Sequence, residues 1–437
     1  MADEMVKLAC WLYRLRHRAQ FGSSRPLEGN AAFMELDERY WWGYKYYFGP
    51  VEKAESGSGL EEYFARQELD FSSTEGLDEA SSATLCVGGD ILAHPGLNPE
   101  TTKSLWDEVR DFYFSGDLAY ANLETPIVPS RPGSYIPKSV LQAPSLNNTS
   151  EMFDRIVDGG KAVSLFSTAN NHCLDQGEDG LRQTLDFLDS KGYPHVGTAR
   201  SPEERDRPLI IERNGVRLAF ISFTFALNWK DLPEGKDYLA NYVRLNKPGT
   251  DVSPVAAQVA AAREAGADVV VALLHWSLEF EAYPASNVVD MGHRLAELGI
   301  DLIVGNHPHN VQPVERYAYA DRGSGERRES LILYALGDLL SIHRTLPNSR
   351  LAMLARIKIA KTGRGRVTGL EVLPVYLYVE KRKGECVDYR VLDFRKLSSE
   401  LHAGANRFRL GRARVREVYR LEALMNRLLG PALRPRG

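Results

Sequence analysis

The chain has 437 residues, 43% of them hydrophobic and 26% charged, with a formal net charge of −4. This is globular composition with length enough for a large core, and the slight negative charge gives no reason to expect nucleic acid as a partner. Four scattered cysteines (Cys10, Cys86, Cys173, Cys386) form no CxxC pair or disulfide scaffold, and no segment has the apolar length of a signal peptide or a membrane span, so a cytoplasmic setting is expected.

Residues 1–80 read as an N-terminal arm. It holds the aromatic cluster Tyr40-Trp41-Trp42-Gly43-Tyr44-Lys45-Tyr46-Tyr47-Phe48, then a linker-like Glu55-Ser56-Gly57-Ser58-Gly59 and a polar stretch through Ser72-Ser73-Thr74-Glu75-Gly76. Two readings stay open for the cluster: the rings pack on the main domain, or they form a wall over a substrate or partner.

Residues 81–400 read as the main domain, in strand–loop–helix order. Ala83–Val87 is a strand, and Glu178–Lys191 a helix, with Leu181, Leu185 and Leu188 at helical spacing. Arg207–Thr224 is a hairpin around the Asn214-Gly215 turn. Pro254–Ala265 is an Ala-rich helix stopped at Gly266, Asp268–Leu274 a buried strand, Val288–Leu298 a helix and Asp301–Val304 another strand. Ser330–Leu336, Leu351–Ala360 and Gly369–Val379 supply later strands, with antiparallel pairing around Thr362-Gly363-Arg364-Gly365. Residues 401–437 read as a basic amphipathic helix in which seven arginines from Arg407 to Arg427 alternate with Val415, Val418, Leu421, Leu424 and Leu428. It either lies on the fold or meets an anionic surface.

Metal-competent side chains follow five of the strand-like runs, at the edge where open α/β sheets place ligands. Asp90 follows Gly88-Gly89, glycines expected to let the backbone turn. Glu124 ends Asn122-Leu123-Glu124. Asn171 and His172 stand in Ala169-Asn170-Asn171-His172-Cys173-Leu174-Asp175, where Asp175 can orient His172 through its second ring nitrogen. Cys173 is expected to be a packed thiol. His275 ends the most apolar strand. His307 and His309 flank Pro308 in Gly305-Asn306-His307-Pro308-His309, a segment expected to be extended so that both rings reach one centre.

Two carboxylates, one amide and three imidazoles suit Mn, Fe, Zn or Mg. They are too many for one tetrahedral ion and about right for two, with Glu124 as the natural bridge. The sequence lacks the G-x-S-x-G, G-x-x-x-x-G-K-[ST] and H-E-x-x-H patterns, which argues against serine hydrolases, P-loop NTPases and zincins.

The order of these motifs resembles the CapA family of poly-γ-glutamate capsule synthesis proteins, within the calcineurin-like metallophosphoesterase superfamily. The matching segments are Val87-Gly88-Gly89-Asp90, Asn122-Leu123-Glu124-Thr125-Pro126-Ile127, Leu141-Gln142-Ala143-Pro144 and Ala169-Asn170-Asn171-His172 with Asp175 and Gly177. Then follow Leu274-His275-Trp276 with Glu279, Gly305 with His307-Pro308-His309 and Gln312, and Tyr334-Ala335-Leu336-Gly337-Asp338. Leu92 stands where the wider superfamily has a histidine, Glu124 where its bridging ligand is usually Asp, Ser277 where the family has glycine, and Asp338 where it has Asn.

The resemblance implies an α/β fold, a four-layer α/β/β/α sandwich with mixed sheets and the metal centre at one sheet edge. It implies two divalent ions (Mn, Fe or Zn) held by Asp90, Glu124, Asn171, His275, His307 and His309. It casts His172 as the group that assists the leaving group, with Asp175 behind it, and Gln142, Glu279 and Asn122 as substrate-side groups. The expected activity is hydrolysis of a phosphoester, or an amide, by metal-bound hydroxide on a small phosphorylated or γ-glutamyl substrate. Two alternatives remain: a weakly catalytic or non-catalytic accessory of γ-glutamyl polymer assembly beside a biosynthetic partner enzyme, and a natural-product tailoring enzyme using the same site.

Overall fold

The computed structural model describes residues 2–17, 21–71, 81–137, 142–321, 323–343, 346–361 and 365–433. The polar stretch at 72–76, Leu141 and most of the expected turn at 362–365 lie outside the described residues. The arm carries three helices, α1 (Ala2–Arg16), α2 (Leu36–Phe48) and α3 (Leu60–Ala65). Fourteen strands are described beyond it. They open with β1 (Ser82–Ile91), then, after α4 (Arg110–Tyr113), β2 (Leu118–Leu123). Next come α5 (Ser150–Val157), β3 (Leu165–Ser167), α6 (Gly177–Lys191), β4 (His195–Val196) and α7 (Pro202–Asp206). The middle of the chain gives β5 (Leu209–Arg213), β6 (Val216–Thr224), α8 (Ser253–Glu264), β7 (Val269–His275), α9 (Ser286–Glu297) and β8 (Leu302–Asn306). The last part gives β9 (Val314–Ala320), β10 (Arg327–Leu333), β11 (Asp338–Leu340), β12 (Leu351–Ala360), β13 (Arg366–Arg382), β14 (Glu385–Asp393), α10 (Phe394–His402) and α11 (Arg412–Leu433).

Two mixed sheets result. The first runs β14-β13-β12-β1-β2-β3-β4, with β11 added beside the end of β1, and the second runs β5-β6-β7-β8-β10-β9. Strand alternation divides the faces of the first sheet. Leu85, Val87 and Tyr120 point into the core shared with the second sheet, while Cys86, Ala119 and Ala121 point to an outer core under Phe153 and Ile156 of α5. The central strands β7 and β8 of the second sheet are buried on both faces, so they are apolar until their polar ends at His275 and Asn306. Val255 and Val259 of α8 and Met291 and Leu295 of α9 cover its outer side. These are the four layers, α/β/β/α, that the sequence implied.

The Asn214-Gly215 hairpin forms as expected, with both residues at positive φ (50° and 76°) between β5 and β6. Gly266 has φ 83° just past α8 and terminates it. The C-terminal helix begins at Arg412 rather than near 401, because residues 394–402 form the separate helix α10 capped by Asp393.

The glycines before Asp90 act differently from the expectation. They lie inside β1, not in a turn, and neither has a positive φ. A Cβ at Gly89 would stand 1.8 Å from the Gly337 carbonyl oxygen, and one at Gly305 would stand 1.9 Å from that of Tyr334. The chain leaves β10 in the second sheet and enters β11 in the first, and it crosses between two glycines, one from each sheet. The register then sets Asp338 directly beside Asp90.

Candidate metal centre

The parallel strands β1, β2, β7 and β8 all end at one edge, and the side chains there converge. Asp90 is the penultimate residue of β1, Glu124 directly follows β2, His275 closes β7, and His307 directly follows β8. All are buried. Two groups of donors that share Glu124 lie close enough to hold a cation: Glu124, His275 and His307, and Asp90, Glu124 and His309. Glu124 belongs to both, as a bridging ligand must. In the first group His275 Nε2 stands 3.1 Å from His307 Nδ1, 3.0 Å from Asn171 Oδ1 and 3.3 Å from Glu124 Oε1. In the second, His309 Nδ1 is 3.8 Å from Asp90 Oδ2.

The two histidines of the 305–309 segment are not alternate residues of an extended strand. His307 has φ 102° and His309 φ 53°. Such φ values are uncommon for residues with a Cβ and cluster at functional sites. The bend sends the rings apart, their centroids 6.0 Å from each other, so one joins each donor group.

The fit of this donor set to divalent cations can be tested on Glu124. Both of its carboxylate oxygens are buried without a hydrogen-bond partner, although the side chain is 0% exposed. A buried orphan carboxylate is costly unless a cation faces it. The electrostatics agree. Burial, with Asp90 nearby, pushes the Glu124 carboxyl well above its ordinary range, and burial with Asp338 pushes Asp90 up to about 6 against the pull of His309. Burial and the neighbouring imidazoles hold His275 and His307 well below the ordinary histidine value, as neutral rings with lone pairs to give. The donors present are those that hard-to-borderline divalent ions take.

Around them sit groups that orient. Asn122, expected on the substrate side, is 1% exposed and lies beside Asp90 and His275. Its Nδ2 donates to Asp90 Oδ1 at 2.7 Å and lies 3.2 Å from His275 Nδ1. Its Oδ1 accepts from Ser167 at 2.8 Å. His172 Nδ1 lies 2.9 Å from Asp175 Oδ2, and that oxygen also accepts from the Leu146 amide, which fixes it. Asn228, absent from the sequence reading, connects the two neighbours: its Oδ1 accepts from Asn171 at 3.2 Å and its Nδ2 is 3.4 Å from His172 Nε2. Asn228 and Trp229 both have positive φ, a backbone feature with no sequence signal beyond the Asn itself. Glu279 is at the rim, 3.9 Å from His309 Nε2. Gln142 is exposed and makes no hydrogen bond to the cluster among the described residues. Cys173 is buried, which pushes its thiol up to about 12 and bars it as a nucleophile.

The arm closes one side. Trp42 Nε1 donates to Glu279, and Trp42 also packs on Phe280, which stacks on the His309 ring. Deeper, Lys45 Nζ is 2.6 Å from Glu281 Oε1, with both side chains buried (3% and 0% exposed). Trp41 Nε1 donates to the same oxygen at 3.2 Å. The arm therefore packs its rings on the main domain, the first of the two readings left open by its sequence, and sets Trp42 beside the candidate centre.

Fold and site together define an α/β/β/α protein with a buried histidine–carboxylate centre suited to divalent ions. Residues 84–342 match the family described as "Bacterial capsule synthesis protein PGA_cap", and the chain belongs to that family. Among relatives, the "PGA biosynthesis protein CapA" of Bacillus subtilis is 25% identical, aligned over 69% of this chain and 73% of its own length. The "Probable polyglutamine synthesis accessory protein" of Mycobacterium tuberculosis is 27% identical over 47% of this chain and 54% of its own length. A solved structure of a hypothetical protein from Thermus thermophilus aligns with a TM-score of 0.38 at 16% identity, covering 67% of this chain and 98% of that one. Among the described residues no helix is long and apolar enough to cross a membrane.

Proposed function

We propose that this chain is a metal-dependent hydrolase that cleaves a phosphoester, or an amide, of a small phosphorylated or γ-glutamyl substrate. The observation that carries this reading is Glu124, whose two unpartnered buried oxygens lie between the two donor groups. Asp90, Glu124 and His309 would hold one ion and Glu124, Asn171, His275 and His307 the other. Two divalent ions so held supply Lewis acidity, activating water and neutralising charge on the scissile group. The rest is work for the protein. Asp175 fixes the His172 ring through Nδ1, leaving Nε2 to carry a proton to the departing oxygen or nitrogen. Asn228 Nδ2, a donor, can meet that nitrogen only once it has given up its proton, and Asn228 Oδ1 ties the pair to Asn171. Glu279 and Trp42 border the entry and restrict what reaches His309. The four cysteines are free thiols, which suits the reducing cytoplasm we propose as its setting.

Elemental analysis of protein purified without chelator, beside an Asp90→Ala/His307→Ala variant, tests this. The expected result is near two transition-metal ions per chain, lost in the variant together with hydrolysis of phosphoester or γ-glutamyl amide substrates. A metal content near zero that added Mn or Zn does not raise would overturn it. A second reading is an accessory role in polymer assembly beside a partner enzyme, favoured by the name of the Mycobacterium tuberculosis relative. It predicts that the metal-free variant still supports assembly in cells.

A further inference from the structure

The Asp90 side of the centre has more donors than the proposed hydrolase reading uses. Two side chains beyond those named, Asp338 and His343, form a further metal-competent group with His309. Asp338 is buried on β11, in register with Asp90 on β1, so two carboxylates stand side by side at one strand edge. His309 Nδ1 lies 2.9 Å from Asp338 Oδ1. His343 Nε2 lies 3.1 Å from Asp338 Oδ2, yet that nitrogen is buried without a hydrogen-bond partner. The two atoms face each other closely, as two donors to one ion would. The rings of His309 and His343 lie alongside, centroids 4.7 Å apart. Donors about 2.1 Å from a common ion stand roughly 3.0–3.4 Å from one another in octahedral or tetrahedral arrangements. The 3.1 Å spacing of His343 from Asp338 falls within that edge length, while the 2.9 Å pair is also a hydrogen bond between His309 Nδ1 and Asp338 Oδ1. Beyond Asp90, the end of β1 offers only Ile91 and Leu92, which have no donor.

We infer that Asp338 and His343 are direct ligands of the ion on the Asp90 side, completing with Asp90, Glu124 and His309 a set drawn from both sheets. The inference rests on the metal-dependent reading above and adds to it. Asp338 brings a third carboxylate beside those of Asp90 and Glu124, which offsets more of the charge of a divalent cation. His343 brings an imidazole from the irregular segment after β11, a position outside any strand end. Ser341 Oγ donates to Asp338 Oδ2 at 2.5 Å and holds that carboxylate in place.

The experiment loads the full chain with Co(II) at saturation and compares the natural protein with His343→Phe, His343→Ala and Asp338→Asn. His343→Phe keeps a ring against His309 and Phe280 and removes only the nitrogens. Far-UV circular dichroism of the metal-free forms checks folding, and His343→Phe serves where the alanine variant does not fold. The readouts are ions per chain and the number of hyperfine-shifted ring N–H resonances in the proton NMR spectrum. The natural protein should hold two ions and show four such histidine signals. His343→Phe should lose one signal, with the affinity of one ion, and not the other, falling at least tenfold. Unchanged signals and unchanged affinity in His343→Phe would overturn the inference and leave Asp338 and His343 as groups that merely orient His309. An unchanged signal count with weakened affinity would overturn it too, since an orienting residue produces that pattern. A natural protein that binds no Co(II) would instead sink the metal-dependent reading itself, an outcome visible before any variant is made.

Discussion

The N-terminal arm and the C-terminal helix both flank the main domain, but they are held by different physics. The arm sends polar atoms into the interior: Lys45 pairs with Glu281, Trp41 donates to the same carboxylate, and Trp42 reaches Glu279 at the rim of the candidate centre. Helix α11 lays an apolar stripe on the domain, with Val418, Leu421, Leu424, Leu428 and Leu429 buried. Its arginines remain near solvent: Arg420 and Arg427 both pair with Glu52 of the arm, and Arg420 also donates to Asn348 at 2.6 Å. The difference teaches that aromatic and charged composition does not by itself tell an appendage from a part of the site. A buried charge must find a specific partner, so the arm has one docking arrangement. An apolar stripe with surface ions is more forgiving, and the tail thereby becomes a clasp on the arm.

The sharpest way to break this contrast is Lys45→Met. It leaves Glu281 buried without its charge partner, and the expected cost is about 3–5 kcal/mol, read as a lower denaturant midpoint. Adding Glu281→Leu to that variant should recover most of the loss, because the orphan charge goes with it. A Lys45→Met protein as stable as the natural one would show that the arm, too, is a surface clasp.

Smaller is the effect of Trp42→Phe. It keeps the ring against Phe280 and deletes the bond to Glu279, for an expected loss of about 1–2 kcal/mol. The variant should also turn over substrate more slowly while binding metal as before. Slower turnover at unchanged metal content, in steady-state kinetics beside elemental analysis, would separate a wall from a ligand. Smallest is Arg420→Ala on the tail. Its side chain and that of Glu52 are 40% and 32% exposed, so the expected change is at most about 1 kcal/mol and should shrink further in high salt. A salt-insensitive loss larger than that would place the tail's arginines in the same class as Lys45.

Much of the fold was legible because its strands are buried on both faces and end in polar residues. Val269–His275 and Leu302–Asn306 have that form, and the helices between them carry apolar residues at helical spacing. Asp90, Glu124, Asn171, His275, His307 and His309 were all readable as candidates, and the structure gathers all six. What was not legible depends on contacts distant in sequence. Asp338 joins Asp90 only through the pairing of β11 with β1, and His343 follows in a segment with no periodicity to betray it. The separation of His307 from His309 depends on positive φ at both residues, against the extended preference that Pro308 suggests. Gly88 and Gly89 read as a turn because glycine's freedom is the commoner reason for its use. Here the reason is space, with Tyr113 packed over one and a carbonyl against the other.

That last feature has a bearing on how such a chain can vary. Gly89 and Gly305 have no side-chain donor, yet each leaves room for a backbone oxygen of the segment that crosses from one sheet to the other. A single methyl at either position would wedge the sheets' edges apart and displace Asp90, Asp338 and His307 together. Descendants of this sequence can therefore trade one donor for another, as Glu for Asp or His for Asn, and remain candidates for the same chemistry. They cannot trade either glycine for any other residue. In the record of accepted substitutions, the emptiest two positions of the centre would be the most rigidly kept.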